Sequence, residues 1–555
     1  MSSLRILLCG VTAALAIAIS TLPAEGQEPS AVDALLNNIV LHEQEFLANL
    51  KEHHPVIETY IQELPVAEAG SAPLKDHYFL GRLSLSEGLN YESLLTRSDT
   101  PKGSWFQKNQ PTTFLPKGFA QMTVIDGVNF NRGTYRFEYV RREFLGEVRC
   151  LVFEVTPIDK KGNGQFLGSI WVEDKDYRIV RFNGTYTSSK TSSLFGLRTN
   201  SPLYFHFDSW RLNVAPGNWV PAFVYVEETG GGEKQPNISR FKAQTRLWGY
   251  NSTTTNRLDE LTSVLIEAGT TVQDDSGAKD VSPLESQRAW EHQAEENILD
   301  RLEKGGLLPP KGDVDKMLNT VVNNLIVTNN LTVDAECRVL LSTPLETFSI
   351  GHTIVISRGL LDVLPDEASL ATVLAQELAH IALGHRTDTE FAFHNRTMLT
   401  DVEVLQRFRF QRSDKEIAEA SLKTGEILKN SPYKEKLSNA ELFLKALSSR
   451  AERLPKLIQA TVGNQLASKE LLKQLADFSR HATLQEANLE QIAALPLGSR
   501  VKLDPWTNQI TLMKNKPLSL LSAREKMPFE VTPFALYLTK SDKPPSKTTL
   551  SSEIK

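Results

Sequence analysis

The hydrophobic periodicity of this 555-residue chain changes once along its length, and the change divides it into two kinds of structure. From about Asp76 to Tyr250, apolar residues alternate with polar ones, and turns containing Gly, Pro or Asn separate the runs. From Glu285 to about Leu495, apolar residues recur at the helical period instead. These patterns predict an α+β protein, with an antiparallel sheet domain followed by a mainly helical domain.

Shorter segments flank these two regions. Apolar residues at near-helical spacing between Ala31 and Leu64 predict a helical segment ahead of the sheet. Strand-like runs from Ser499 to Met513 flank a turn, and Phe529–Leu538 offers a third strand. The predicted division is a signal peptide at 1–26, a helical segment at 27–65, the sheet domain at 66–250, a polar linker at 251–285, the helical domain at 286–495, a C-terminal β-hairpin region at 496–539 and a disordered tail at 540–555.

The first residues carry an export signal. Arg5 precedes an apolar run from Ile6 to Leu22, and small residues lead to Gly26. We therefore expect cleavage near Gly26 and a periplasmic or secreted protein. An uncleaved anchor is the alternative, because a run of about 17 residues is at the lower limit for a membrane span. No second stretch approaches a span, and a net charge of −6 without a basic stripe argues against nucleic acid as a partner.

Two cysteines remain after removal of the signal. Cys150 and Cys337 fall in different predicted domains. Both a disulfide in an oxidising compartment and two buried thiols are compatible with this arrangement.

The strand pattern of the first domain resembles a known half-barrel. Phe153–Pro157, Phe166–Val172 and Ile179–Phe182 resemble the LolA-like domain of periplasmic lipoprotein carriers and related sensor domains. The resemblance implies an antiparallel half-barrel whose concave face holds an apolar or acyl ligand. Trp171 and the aromatic residues around it would then line that face, or they fill a core.

The five residues Gln376–His380 carry the chemistry of the second domain. Positions 376 and 380 lie one turn apart on a helix and share a face. The pattern differs at one position from H-E-x-x-H, in which two histidines bind zinc and the glutamate acts as general base. Glu377 is therefore the candidate catalytic residue and His380 a candidate metal ligand. Gln376 offers only a neutral amide oxygen at the other ligand position.

The residues around this motif resemble a peptidase family. Arg338–Phe348, Gly351–Leu361 and Asp366–His385 resemble, in order and spacing, the gluzincin peptidases of metallopeptidase family forty-eight, the HtpX-like and BepA-like envelope proteases. The resemblance implies zinc, metalloendopeptidase activity and envelope proteins or peptides as substrates. Independently, the β-branched run Thr353–Ser357 predicts a short strand that offers its edge to an extended peptide.

The resemblance implies a third zinc ligand on a later helix, and the candidate segment is Lys415–Ser421. Aligned on Ala420, the ligand position holds Ile417 and the family's aspartate is replaced by Ser421. A slip of one residue offers Glu416 instead. Residues that lie nearby in sequence, and that a rearranged site would use, are His352, His385, His394 and Glu403.

Three functions follow as hypotheses. The first is an exported envelope protein whose peptidase-like domain is impaired or inactive because of Gln376, and which binds peptides or proteins in quality control. The second is an active zinc endopeptidase with an atypical ligand set, in which Glu377 is the base and His380 a ligand. The third is a lipid or lipoprotein carrier that acts through the sheet domain.

Overall fold

The computed structural model describes residues 31–65, 73–86, 88–95, 114–159, 164–191, 198–202, 206–228, 240–251, 283–393, 399–476, 500–513, 531 and 537–542. The predicted signal peptide, His394, most of the linker and most of the tail lie outside these residues. Among the helices that are described, none is long and apolar enough to span a membrane.

The first domain is one large antiparallel sheet with two helices. The helices are α1 (Ala31–Leu50) and α2 (Pro116–Gln121). The strands are β1 (Val56–Leu64), β2 (Lys75–Ser84), β3 (Asn90–Ser93), β4 (Tyr135–Leu145), β5 (Val148–Pro157), β6 (Phe166–Glu173), β7 (Ile179–Thr191), β8 (Arg198–Pro202), β9 (His206–Ala215), β10 (Asn218–Glu228) and β11 (Arg240–Trp248).

Sheet order confirms the predicted open antiparallel architecture. The strands run β3-β2-β1-β11-β10-β9-β7-β6-β5-β4, and β8 pairs with β7. The ends of the path, β3 and β4, do not pair with each other, so the sheet is not closed. The α+β class and the antiparallel first domain were therefore predictable from alternation alone.

The predicted helix at 27–65 is correct only in its first part. Helix α1 ends at Leu50, and Val56–Leu64 forms strand β1 in the middle of the sheet, between β2 and β11. Seven consecutive residues from Val56 to Gln62 are buried, because both faces of this strand are covered. A strand buried on both faces loses the period of two, so its apolar run was mistaken for helix.

Helix α1 covers one face of the sheet. Its Leu36 and Ile39 pack with Phe166, Phe182 and Phe207 in one apolar cluster. Trp171 does not join these aromatics, since neighbouring residues of a strand point to opposite faces. It is buried in the other large apolar cluster, which agrees with the alternative that it fills a core.

Trp171 lies on the face opposite α1. The guanidinium of Arg181 lies 4.2 Å from the Trp171 ring centroid and 4.4 Å from that of Trp210. The Trp171 indole nitrogen donates to Glu143 at 3.2 Å. Trp171 therefore stacks on an arginine and does not line an apolar ligand face.

The second domain combines helices with a small sheet. The helices are α3 (Pro283–Lys304), α4 (Asp313–Thr328), α5 (Arg358–Val363), α6 (Glu367–Ala382), α7 (Asp401–Leu405), α8 (Asp414–Lys429), α9 (Leu437–Arg450), α10 (Pro455–Ile458) and α11 (Lys469–Ala476). The strands are β12 (Glu336–Leu340), β13 (Thr347–Ile350), β14 (Thr353–Ser357), and the separate hairpin β15 (Val501–Leu503) and β16 (Ile510–Leu512).

The three-stranded sheet has the order β12-β14-β13. Strand β14 pairs in parallel with β12 and antiparallel with β13. The expectation that Thr353–Ser357 offers an edge to a peptide is therefore wrong, because β14 is the central strand. The edge that faces the motif helix α6 belongs to β13.

The two domains meet through buried charges. Glu58 on β1 accepts hydrogen bonds from Arg358 at 2.7 Å, from the Thr343 hydroxyl at 2.8 Å and from Tyr78 at 2.8 Å. Asp76 on β2 accepts from the backbone N–H groups of Lys456 and Leu457. The sheet of the first domain thus binds Thr343 and Arg358, which precede β13 and follow β14 in sequence, and it also binds the first turn of α10.

Of the described C-terminal residues, Val531 and Leu538 are buried in the same apolar cluster as Trp171. The Leu538 carbonyl accepts from Glu147 at 3.0 Å, and Lys540 pairs with Glu173 at 2.6 Å. The Ser541 N–H donates to Asn213. The predicted disorder from Lys540 onward is therefore wrong for Lys540 and Ser541, where the sheet supplies partners that sequence composition does not reveal.

Both described cysteines are free and buried. Burial raises the pKa of the Cys150 and Cys337 thiols to about 12. Of the two alternatives that the sequence left open, the structure shows two buried thiols.

Candidate functional site around helix α6

Helix α6 places the motif residues in the interior of the second domain. Asp366 caps its start by accepting from the Ser369 N–H at 2.8 Å, and Gly384, with φ of +70°, turns the chain away after its end. That left-handed conformation suits glycine. Nearly all residues of the helix are buried, Glu377 and His380 among them, whereas Gln376 is half-buried.

Gln376 is held by helix α8. Its amide oxygen accepts from the Thr424 hydroxyl at 2.8 Å, and its amide nitrogen donates to the Ser421 hydroxyl at 3.4 Å. Both ends of the amide therefore have protein partners. The Gln376 oxygen therefore already faces a hydroxyl donor, and its neutral amide stands where a zinc site has an imidazole.

The segment Lys415–Ser421 lies in α8, and the structure brings Ser421 to Gln376. Ile417 lies one turn before Ser421, whose hydroxyl donates to the Ile417 carbonyl at 2.7 Å. Glu416 begins the helix instead: its carboxylate accepts from the N–H and hydroxyl of Ser413 at 3.0 and 2.8 Å. These hydrogen bonds lower the pKa of Glu416. Glu416, the ligand candidate if the alignment is shifted by one residue, is therefore bonded to Ser413 in a capping box.

His380 pairs with the histidine that follows the helix. Its Nδ1 lies 2.8 Å from Nδ1 of His385, whose Nε2 lies 3.4 Å from Glu419. Burial lowers the pKa of His380 to about 3, and the positive Arg412 acts in the same direction. The His380 ring is therefore neutral near pH 7, and its Nε2 is buried without a hydrogen-bond partner among the described residues.

Glu377 contacts a donor that the sequence did not identify. Its Oε1 accepts from the Asn464 amide at 3.1 Å, and its side chain is fully buried. Burial raises the pKa of Glu377, while Asn464 and Arg412 partly oppose the rise. Both Glu377 and His380 are 0% exposed, so solvent does not reach the side chain of the candidate base in this arrangement.

Asn464 and Arg412 are the site residues that sequence reasoning missed. The Asn464 amide oxygen accepts from the Arg412 N–H at 2.9 Å, and the Arg412 guanidinium donates to the Ser349 hydroxyl at 3.1 Å. Asn464 lies 87 residues beyond Glu377, and no motif links them. Thr424 could have been predicted, because it lies three residues after Ser421 and therefore shares its face of α8.

The remaining candidates lie away from the motif face of α6. His352 is exposed in the β13–β14 turn, and its Nδ1 lies 2.7 Å from the Asp334 carbonyl. It shares with His385 the lining of a cleft of about 810 Å³ beside α3. Glu403 begins α7 by accepting from Thr400 at 2.8 Å. The structure therefore offers no rearranged ligand set through these two residues.

The donors present do not fit a catalytic gluzincin zinc. Such a site needs three protein ligands and an open water position. Gln376 is committed to Thr424, Ile417 has no ligating atom, and Glu416 caps α8. Among the described residues, no group of three His, Cys, Asp or Glu side chains is arranged to hold a metal ion.

Comparisons with known proteins identify the region around this site. Residues 314–431 match the model of Peptidase family M48, a span that includes β12 to β14, α6 and α8. No curated protein matches the chain. The chain also has a weak match to a chain in the complex structure of Pseudomonas aeruginosa MucA/MucB, with 9% sequence identity and a TM-score of 0.12. The match covers 37% of this chain and 93% of that one.

Proposed function

Since residues 314–431 match the model of Peptidase family M48, we propose that this region is a peptidase-like scaffold without a catalytic zinc. The chain would act as a peptide-binding or protein-binding factor in quality control of the cell envelope. The observation that carries the proposal is the set of partners around the motif. Gln376 is bonded to Thr424, Glu377 to Asn464 and His380 to His385.

The partners of Gln376 and Glu377 replace interactions that a zinc peptidase needs, whereas His380 Nε2 has no partner among the described residues. A first ligand must present a free lone pair to the metal, and Gln376 presents its oxygen to a hydroxyl. A general base must reach the water that it deprotonates, and Glu377 is sealed from solvent. Loss of an outer partner of a metal site already costs about 10–100-fold in affinity or activity, so loss of direct ligands costs at least that much.

The wild-type protein is expected to bind no stoichiometric zinc at nanomolar affinity and to leave casein uncut. Zinc content after dialysis and casein cleavage with added zinc measure both properties. Glu377→Ala is the matched control and should behave as the wild type does. Stoichiometric zinc, together with chelator-sensitive cleavage that Glu377→Ala abolishes, would instead support an active endopeptidase with an atypical ligand set.

The envelope assignment rests on the sequence. The predicted signal at 1–26 supports export to the periplasm or beyond, where family M48 domains of the resembled envelope proteases act. Under this proposal the partners are envelope proteins or peptides in an extended or unfolded state.

A second function is supported by a cavity in the first domain. A cavity of about 410 Å³ lies between α1, the β9–β10 turn and the hairpin that carries Trp506. Phe46, Leu50, Trp219 and Val220 contribute apolar walls. We expect a short apolar or acyl ligand to co-purify there, detectable by mass spectrometry of an organic extract. Extracts free of any such species, from protein made in its native envelope, would reject the ligand.

A further inference from the structure

Strand β13 presents an outer edge beside helix α6. One side of β13 pairs with β14, as Thr347 opposite Ile356 and Ser349 opposite Ile354. The other side carries main-chain groups of the kind that bind an extended peptide by adding a strand. In this structure that edge is already taken by a segment of the same chain.

The occupying residues are Thr461–Asn464, which we call the covering segment. The Asn464 N–H donates to the Thr347 carbonyl at 2.8 Å, and the two residues form an antiparallel bridge. Gly463 lies so close to β13 that a Cβ atom on it would come within 2.6 Å of the Phe348 ring and 2.7 Å of the Thr347 carbonyl. The covering segment thus lies where the backbone of an added peptide strand would lie.

A buried carboxylate holds the covering segment in place. Oε2 of Glu346 accepts from the N–H groups of Thr461, Val462 and Gly463 at 2.9, 2.8 and 3.0 Å. The Val462 carbonyl accepts from the Phe410 N–H at 2.8 Å, and the Phe410 ring stacks on Phe348 at 4.7 Å. With the Asn464 N–H, five main-chain groups of this short irregular segment therefore have fixed partners.

The side chain at the end of the covering segment closes the candidate site. Asn464 donates to the buried carboxylate of Glu377 while its own oxygen accepts from Arg412. One residue therefore bridges the peptide edge, through Thr347, and the candidate base. Movement of the covering segment would expose both at once.

We propose that Thr461–Asn464 is a built-in occupant of the peptide site, which an extended polypeptide must displace from β13 before it binds. This inference rests on the proposed peptide-binding function and names how that function is regulated. It predicts weak binding by the wild type and stronger binding by variants in which the covering segment is released.

The test uses the full chain with Glu346→Ala, which removes the acceptor of three N–H groups. The matched control is Asp362→Ala, because Asp362 is an equally buried carboxylate of the same domain that accepts from the N–H groups of Arg500 and Val501, away from β13. Amide hydrogen exchange at 461–464 reports release, and anisotropy of fluorescein-labelled casein reports binding. Glu346→Ala should speed exchange and tighten casein binding, each by at least about tenfold, since such hydrogen bonds are individually worth that much.

A second variant tests the same proposal in case Glu346→Ala does not fold. Gly463→Ala introduces the Cβ that has no room against β13, and it should act in the same direction as Glu346→Ala. Faster exchange at 461–464 without tighter casein binding would overturn the proposal, as would unchanged exchange in both variants. Tighter binding in Asp362→Ala as well would also overturn it, because general loosening would then be the cause.

The experiment separates this inference from the proposed function. Casein binding is measured on protein treated with a chelator, so it does not depend on whether the wild type holds zinc. Zinc-dependent cleavage by the wild type would reject the proposed function and leave the displacement test unaffected.

Discussion

Glu58→Ala is expected to lower the free energy of unfolding by about 3–5 kcal/mol, the largest loss of stability that the structure predicts for one side chain. Glu58 and Arg358 form an ion pair at 2.7 Å, and their side chains are only 2% and 1% exposed. Removal of the carboxylate leaves a buried guanidinium without its ion-pair partner, and it also removes the acceptor for the Thr343 N–H. Urea unfolding followed by circular dichroism measures the change.

Two further variants identify the cause of that loss. Glu154→Ala removes an exposed glutamate from strand β5 of the same sheet and should change stability by no more than about 0.5 kcal/mol. Glu58→Ala/Arg358→Met should recover part of the loss, because breaking a buried pair costs more than replacing both members. A loss below about 1 kcal/mol in Glu58→Ala would show that the pair does not hold the two domains together.

Gln376→His/Ile417→Glu is expected to raise zinc affinity at least about 10–100-fold above that of the wild type. The two substitutions supply an imidazole on α6 and a carboxylate on the α8 face that meets it. His380 contributes a third ligand, since its Nε2 has no partner among the described residues. Competition with a chromophoric chelator, checked by elemental analysis, measures the affinity.

The controls for this prediction separate added ligands from added charge. Gln376→His alone should gain less, because two histidines lack the third ligand. Gln376→His/Leu422→Glu places the same carboxylate on the exposed side of α8 and should match the single variant, since Leu422 is 59% exposed. Equal zinc affinity in the wild type and the full double variant would show that the present residues already form a metal site.

Casein cleavage is not expected to follow from zinc binding alone. In the double variant Asn464 still holds Glu377 and the covering segment still occupies the edge of β13. Metal binding and peptide access are therefore separate properties of this domain.

Sequence patterns predicted most of the secondary structure because local periodicity reflects burial on one face. The alternation in β4 to β7 and the helical spacing in α8 each arise from an element with one buried and one more accessible side. The prediction failed at β1, where both faces are covered by other parts of the chain. A strand pattern also gives two faces and does not say which one α1 will cover, so the sequence left open which core Trp171 would join.

For the candidate site, the sequence by itself determined the peptidase-like segment and the positions of Gln376, Glu377 and His380, because a spacing of four residues on a helix fixes a shared face. Only the tertiary structure decided what those side chains contact. Thr424, Asn464 and His385 reach them from α8, from the covering segment and from the turn after α6. The physical reason is that a buried polar group must find its partner in space, and the chain brings that partner from any distance in sequence.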